Sequence, residues 1–262
     1  MKRLIILALC LACSLMAVAQ QENNNPKVKV GVRVGGVGSC FIVPQNEVIS
    51  LNPQNSKPKR PMKIGLTAGV TVDIPISQKL NLQTGLMYSL QRAGEKDQCI
   101  YNIGDTNYSV DSKITYKSHH IKLPLMILFQ GSNKPNHFVA GVGVFADVAL
   151  GGKLRYDASA VLTPGGKYLI EGDLNPYNKE NQYLRYRLND DDFWYKHNLG
   201  YGSLFKRFNF GISAEIGYQI SKVYLGAHID FGVLNMARPE MCGENYRQRP
   251  LNVQVLIGYN IN

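Results

Sequence analysis

Beyond its first twenty residues the 262-residue sequence has no apolar run long enough for a transmembrane helix, which needs roughly 20 residues. Any crossing of a membrane must therefore come from strands, because only helices and closed barrels satisfy every backbone group inside lipid. Cysteine is scarce: there are five, and none of the later three sits in the close pairs that zinc sites use, so no metal is expected. No HExxH, no Ser-centred elbow and no phosphate loop is present, so neither an enzyme nor a cofactor is indicated. Lys and Arg outnumber Asp and Glu by 29 to 19, yet they form no basic run or nucleic-acid motif. The excess is scattered through turns and loops, where it suits anionic lipid head groups; no nucleic-acid partner is expected.

What is present begins with a leader. Lys2 and Arg3, the apolar run Leu4 to Met16 and then Ala17-Val18-Ala19 form charged, apolar and small-x-small regions. They predict a signal peptide over 1–19, cleaved before Gln20, and hence export. The alternatives are an uncleaved anchor, for which the run is short, and a lipid attached at Cys13. Cleavage removes Cys10 and Cys13. Cys40, Cys99 and Cys242 then remain in an oxidising compartment, where one disulfide is allowed, Cys40 with Cys99 or with Cys242.

The organising signal is period-two alternation, which sends successive side chains to opposite faces of a strand. It is clearest from Phe208 to Ile220, where Phe208, Phe210, Ile212, Ala214, Ile216, Tyr218 and Ile220 oppose Asn209, Gly211, Ser213, Glu215, Gly217 and Gln219. The pattern recurs at Val28–Val34, Ile64–Ile74, Leu80–Leu90, Phe138–Val148, Val223–Val233 and Leu251–Ile261. An eighth strand covers Ile114 to Phe129, with a slip of parity at His119-His120 that predicts a bulge, and with Pro124, unusual in a central strand, in its apolar half. Connections alternate between short turns (75–78, 131–135, 221) and long loops at about 39–61, 93–112, 151–205 and 235–249. Such sorting is a feature of bacterial membrane barrels. The expectation is an all-β, eight-stranded antiparallel up-and-down transmembrane β-barrel over 28–262, after a periplasmic segment at 20–27. Within the longest loop, Lys153–Tyr156 and Lys167–Ile170 flank the turn signal Thr163-Pro164-Gly165-Gly166 and predict a hairpin.

Alternation does not say which face points inward, and a soluble lipocalin-like binding barrel is the alternative. The apolar face carries bulky aliphatics and almost no charge, while the polar face is rich in Gly, Ser, Asn and Gln. That favours lipid outside and a narrow, filled lumen. The lumen then holds Lys29, Arg33, Asp73, Lys122, Asp147, Glu215, His228 and Asp230, read as a network of ion pairs and hydrogen bonds. A proton path or small pore is the sharper alternative. Further chemistry is sparse. His119-His120 could bind a metal, Asp190-Asp191-Asp192 a divalent cation, and His197 with Ser203 could serve a lipid enzyme, but structural roles fit each better.

Several segments together resemble the PorT-like outer-membrane β-barrel family of the Bacteroides group. They are Val30-Gly31-Val32-Arg33-Val34-Gly35-Gly36, Ile121-Lys122-Leu123-Pro124-Leu125, the strand Phe210 to Tyr218, and Ile257-Gly258-Tyr259. The resemblance implies an outer-membrane barrel and, more narrowly, a component of a protein-secretion or gliding machine. The leading expectation is a non-enzymatic barrel displaying long loops. Its partners would be outer-membrane lipid and lipopolysaccharide, together with envelope or host proteins.

Overall fold

The computed structural model describes residues 28–43, 58–103, 106–132, 134–163, 165–188, 194–238 and 247–261. The expected leader at 1–19, the expected periplasmic segment at 20–27, Asp190-Asp191-Asp192 and Cys242 lie outside the described residues. Among the described residues eleven antiparallel strands form one sheet: β1 (Lys29–Ile42), β2 (Met62–Pro75), β3 (Leu80–Ile103), β4 (Thr106–Gln130), β5 (Asn136–Thr163), β6 (Lys167–Leu174), β7 (Glu180–Leu188), β8 (Tyr195–Gly202), β9 (Phe208–Ile220), β10 (Val223–Gly232) and β11 (Arg249–Asn260). The pairings β4–β5, β5–β9 and β1–β11 close a ring of eight strands, while β6, β7 and β8 extend from the far half of β5.

The short connections gather at one end of the ring. The tightest, between β9 and β10, puts Ser221 at φ 53°, a left-handed conformation that the abrupt reversal requires. At the opposite end the strands run further than their alternation shows. Segment 93–112, expected as a loop, continues the β3–β4 ladder from Ala93↔Tyr116 to Ile103↔Thr106. Residues 151–163, also expected as loop, remain in β5 and pair with β4 as far as Asn107↔Thr163. The reason is physical. These strand halves have no uniformly greasy face, so they leave no apolar period to read. The hairpin expected around 163–166 is present, with β5 and β6 paired from Leu154↔Leu174 to Val161↔Lys167.

The bulge falls between His119 and His120, as the parity slip predicts. Pro124 is tolerated because its missing donor falls where β3 and β4 do not pair: their ladder passes from Thr84↔Leu125 to Met87↔Lys122 in constant register. The Thr84 hydroxyl instead donates to the Pro124 carbonyl at 3.0 Å.

Exposure settles which face is which. Val142 is 66% and Ile257 55% exposed, while Arg33 is 4% and Asp230 1% exposed. The aliphatic faces point away from the ring and the polar faces into it. The interior is layered. Met126, Leu128, Val139, Tyr224 and Leu256 pack at the turn end. Polar groups fill the middle, and a second apolar cluster closes the loop end.

Candidate functional site

The middle layer is built by register. Parity puts Arg33 (β1), Lys122 (β4), Glu215 (β9), His228 and Asp230 (β10) inside, and the pairing His228↔Glu215 sets two of them at one height. Arg33 Nη1 donates to Glu215 Oε1 at 2.6 Å. The second Glu215 oxygen lies 3.0 Å from His228 Nδ1, and His228 Nε2 lies 2.8 Å from Asp230 Oδ1. The other Asp230 oxygen accepts from Lys122 Nζ at 2.5 Å and from Gln254 Nε2 at 2.6 Å, while Ser213 Oγ donates to Oδ1 at 2.6 Å. Both ring nitrogens of His228 thus face carboxylates, which only the doubly protonated ring can satisfy on both sides. Asp73, bonded by Gln83 at 2.7 Å, supplies a third anion. Arg33, Lys122 and His228 are then balanced by Glu215, Asp230 and Asp73, as buried charge requires.

The Tyr224 ring lies under this layer, 4.0 Å from the Arg33 guanidinium. It rests flat against the wall over Gly217 and Gly226, where an added Cβ would meet the ring at 2.6 Å or less. Any side chain at either position would displace the ring.

Of the eight residues expected in the lumen, five join this one network and Asp73 lies beside it. Asp147 belongs to a separate pair above, 2.9 Å from His120 Nδ1, with Ser118 Oγ on His120 Nε2 at 2.8 Å. Lys29 is half-buried at the turn end, in register with Asp73. His119 points outward to the Tyr88 hydroxyl at 2.6 Å, so the two neighbouring histidines face opposite sides and do not converge on a metal. Among the described residues no group of three His, Cys, Asp or Glu is placed to hold one. His197 is exposed on β8 and Ser203 is buried, with no contact between them to make a catalytic pair.

The disulfide allowed between Cys40 and Cys99 is not formed; both thiols are free. Cys40 lies near the level of Met62, which pairs with Ala93. Cys99 is six residues further along β3, ~20 Å at ~3.3 Å per residue, well past the ~7 Å limit for bridged Cα atoms.

Sequence reading missed what closes the loop end. Phe41, Tyr116, Tyr177 and Phe205 form an aromatic cap, with ring centroids 5.1 Å (Phe41–Tyr116), 5.6 Å (Tyr116–Phe205) and 6.2 Å (Tyr177–Phe205) apart. Burial pushes the Tyr177 phenol up to about 12. Backbone bonds hold the cap in place: Phe205 N to Pro176 O at 2.7 Å, Lys206 N to Met236 O at 2.8 Å and Arg238 N to Leu204 O at 2.9 Å. Between cap and polar layer, the cavity bounded by His120, Asp147, Tyr177, Phe205 and Asn252 measures about 20 Å³, room for about one water. Phe205→Ala is expected to speed amide exchange at Lys206 and Arg238 by about tenfold or more, leaving the mid-ring strands unchanged. Unchanged exchange at those two amides would show that the cap is not a packed unit.

A family model described as "Outer membrane protein beta-barrel domain" matches residues 18–238. The chain belongs to this outer membrane protein β-barrel family. As a member it has an all-β antiparallel barrel fold and resides in the bacterial outer membrane. Among solved structures, this barrel is similar to OprG from Pseudomonas aeruginosa, at 11% identity over 89% of this chain and 96% of that one, TM-score 0.39. It is also similar to Ail, the attachment invasion locus protein of Yersinia pestis, at 9% identity over 89% and 98%, TM-score 0.34. The translocator domain of the autotransporter NalP from Neisseria meningitidis matches at 10% identity over 98% and 97%, TM-score 0.24. No curated protein matches the sequence.

Proposed function

We propose that the eight-strand ring is an up-and-down transmembrane barrel that does not conduct, and that it is a rigid, non-enzymatic support for a sheet displayed outside the cell. The observation that carries this is the filled interior: an apolar layer, a charge-balanced layer and an aromatic cap follow one another, with about 20 Å³ between the last two. An eight-stranded lumen has room for little beyond its own side chains. The long-connection end faces outward in this reading, as in bacterial barrels generally.

The far halves of β3–β5 with β6–β8 form the displayed sheet. It bears a cleft of about 740 Å³ whose lining includes Lys59, Lys113, Asp157, Glu171, Arg187 and Trp194. Arg187 lies 5.1 Å from the Trp194 ring, so the wall offers an aromatic face and both signs of charge. That chemistry suits a polar, zwitterionic partner surface such as an envelope or host protein. The PorT-like strand motifs support a narrower version, in which the partner belongs to a secretion or gliding machine.

In planar bilayers the purified chain is expected to give no single-channel steps; discrete steps would overturn the sealed-lumen reading. In intact cells a Lys196→Cys variant is expected to react with an impermeant maleimide, above the level of the unsubstituted chain. Labelling only after the outer membrane is broken would reverse the orientation.

A further inference from the structure

One row of the sheet carries four cations side by side. Lys63 pairs with Arg92, Arg92 with Lys117, and Lys117 with Lys153, across β2, β3, β4 and β5. All four point away from the ring. Arg92, Lys117 and Lys153 are exposed. Lys63 lays its stem over Gly94 and donates from Nζ to Thr115 Oγ1 at 3.0 Å. Like charges directly opposite one another destabilise a sheet.

The neighbouring cations are treated differently. Two rows further out Lys59, Lys96 and Lys113 also stand in line, but that row ends on a carboxylate, Asp157, which faces Lys113 across the ladder. Arg155 bonds Asp157 at 3.0 Å and Arg60 bonds Glu95 at 3.1 Å. Among the described residues, Arg92, Lys117 and Lys153 have no carboxylate partner. The row is a line of positive charge with no carboxylate in it.

Its height is fixed by the strands. Leu80↔Phe129 marks the turn-end rim, where Phe129, Phe138, Tyr218 and Tyr259 are exposed in the manner of an aromatic girdle. The row lies twelve residues above that rim on both β3 and β4. Twelve residues at ~3.3 Å each, tilted by ~40°, rise ~30 Å, just past an apolar band ~25 Å tall. Between the two levels the outward residues include Leu82, Leu86, Tyr88, Ile121, Leu123 and Ile127. The cations therefore stand at head-group level, where the lateral neighbours are lipids.

We propose that this row binds the phosphates of an outer-leaflet lipid whose head group carries more than one of them. Four strands ~4.8 Å apart spread the charges over ~14 Å, the width of a disaccharide with a phosphate at each end. Ammonium and guanidinium groups donate charge-assisted hydrogen bonds to phosphate, and the bound anion removes the cross-strand repulsion. The proposal depends on the reading that the ring spans the membrane with its long-connection end outward.

The test uses the mature chain refolded in zwitterionic micelles and titrated with diphosphoryl lipid A, monophosphoryl lipid A and inorganic polyphosphate. Arg92→Gln/Lys117→Gln/Lys153→Gln is expected to weaken diphosphoryl lipid A binding by about tenfold or more, because three charge-assisted contacts are lost. Lys79→Gln/Lys134→Gln/Lys222→Gln, at the other end of the ring, is expected to stay within about twofold, as exposed distant charges do. Monophosphoryl lipid A should bind less tightly than the diphosphoryl form. The proposal is overturned if the first triple variant binds like the unsubstituted chain, or if polyphosphate binds as tightly as the lipid, which would make the row a site for soluble polyanions. Heat-modifiable gel mobility in lipid vesicles reports the barrel independently. A chain that never acquires it would remove the spanning reading and this one together, whereas an inserted barrel indifferent to lipid phosphate removes this one alone.

Discussion

Replacing Asp230 with asparagine is expected to lower the unfolding free energy of the barrel by about 3–5 kcal/mol, the range found when one partner of a buried ion pair is removed. Asp230 is where the lumen converges: Lys122, His228, Ser213 and Gln254 all bond its two oxygens. The amide keeps the shape but not the charge, and its nitrogen cannot accept a hydrogen bond. Lys122 and His228 would be left as buried cations with Glu215 the nearest remaining anion. Removing both members of the pair, as in Lys122→Met/Asp230→Leu, is expected to recover most of the loss, since apolar packing of similar volume substitutes for a buried pair. Denaturant titration followed by circular dichroism checks both variants; the single tryptophan, Trp194, lies in the displayed sheet and would not report on the lumen. A loss below about 1 kcal/mol for Asp230→Asn would mean that the charges are not coupled as their distances indicate.

The second large effect belongs to the opposite face. Ile212 is 55% exposed and pairs with Val144 and Phe231, close to mid-height of the aliphatic band. Ile212→Arg is expected to cost about 2–4 kcal/mol in a bilayer, the price of a cation at the midplane of a membrane barrel. On a surface facing water the same change would fall within about 0.5 kcal/mol. Val161→Arg, on the part of β5 beyond the band, is the internal control and should be close to neutral. Equal and small effects at the two positions would mean that the aliphatic face is not against hydrocarbon.

How far the sequence could be read depended on what each signal encodes. Alternation along Phe208–Ile220 assigned each side chain to a face, and seven of the eight charged residues assigned to the lumen are buried there. Face is not height, however. That Asp147 meets His120 and not Asp230 follows from the bulge between His119 and His120 and from the turn lengths, which set register. Gln83, Ser213 and Gln254 had the right parity to join the network, but parity alone did not distinguish them from other small polar lumen residues. The far halves of β3, β4 and β5 were read as loop because strands with no greasy face carry no apolar period. The cap was hidden for another reason. Phe41, Tyr116, Tyr177 and Phe205 come from four distant segments and share no spacing, so only the folded chain shows that they meet.

The pairing of β1 with β11 sets a condition on biogenesis. Gly31 meets Asn260 and Ile42 meets Arg249, so the seam joins the first described strand to the last. Until β11 is in place, β1 and β10 each present an unpaired edge that invites association with foreign strands. Closure of the ring thus waits for β11, at the slow pace of topologies whose decisive contacts lie far apart in sequence. A nascent chain of this kind has to be kept from aggregating throughout its transit.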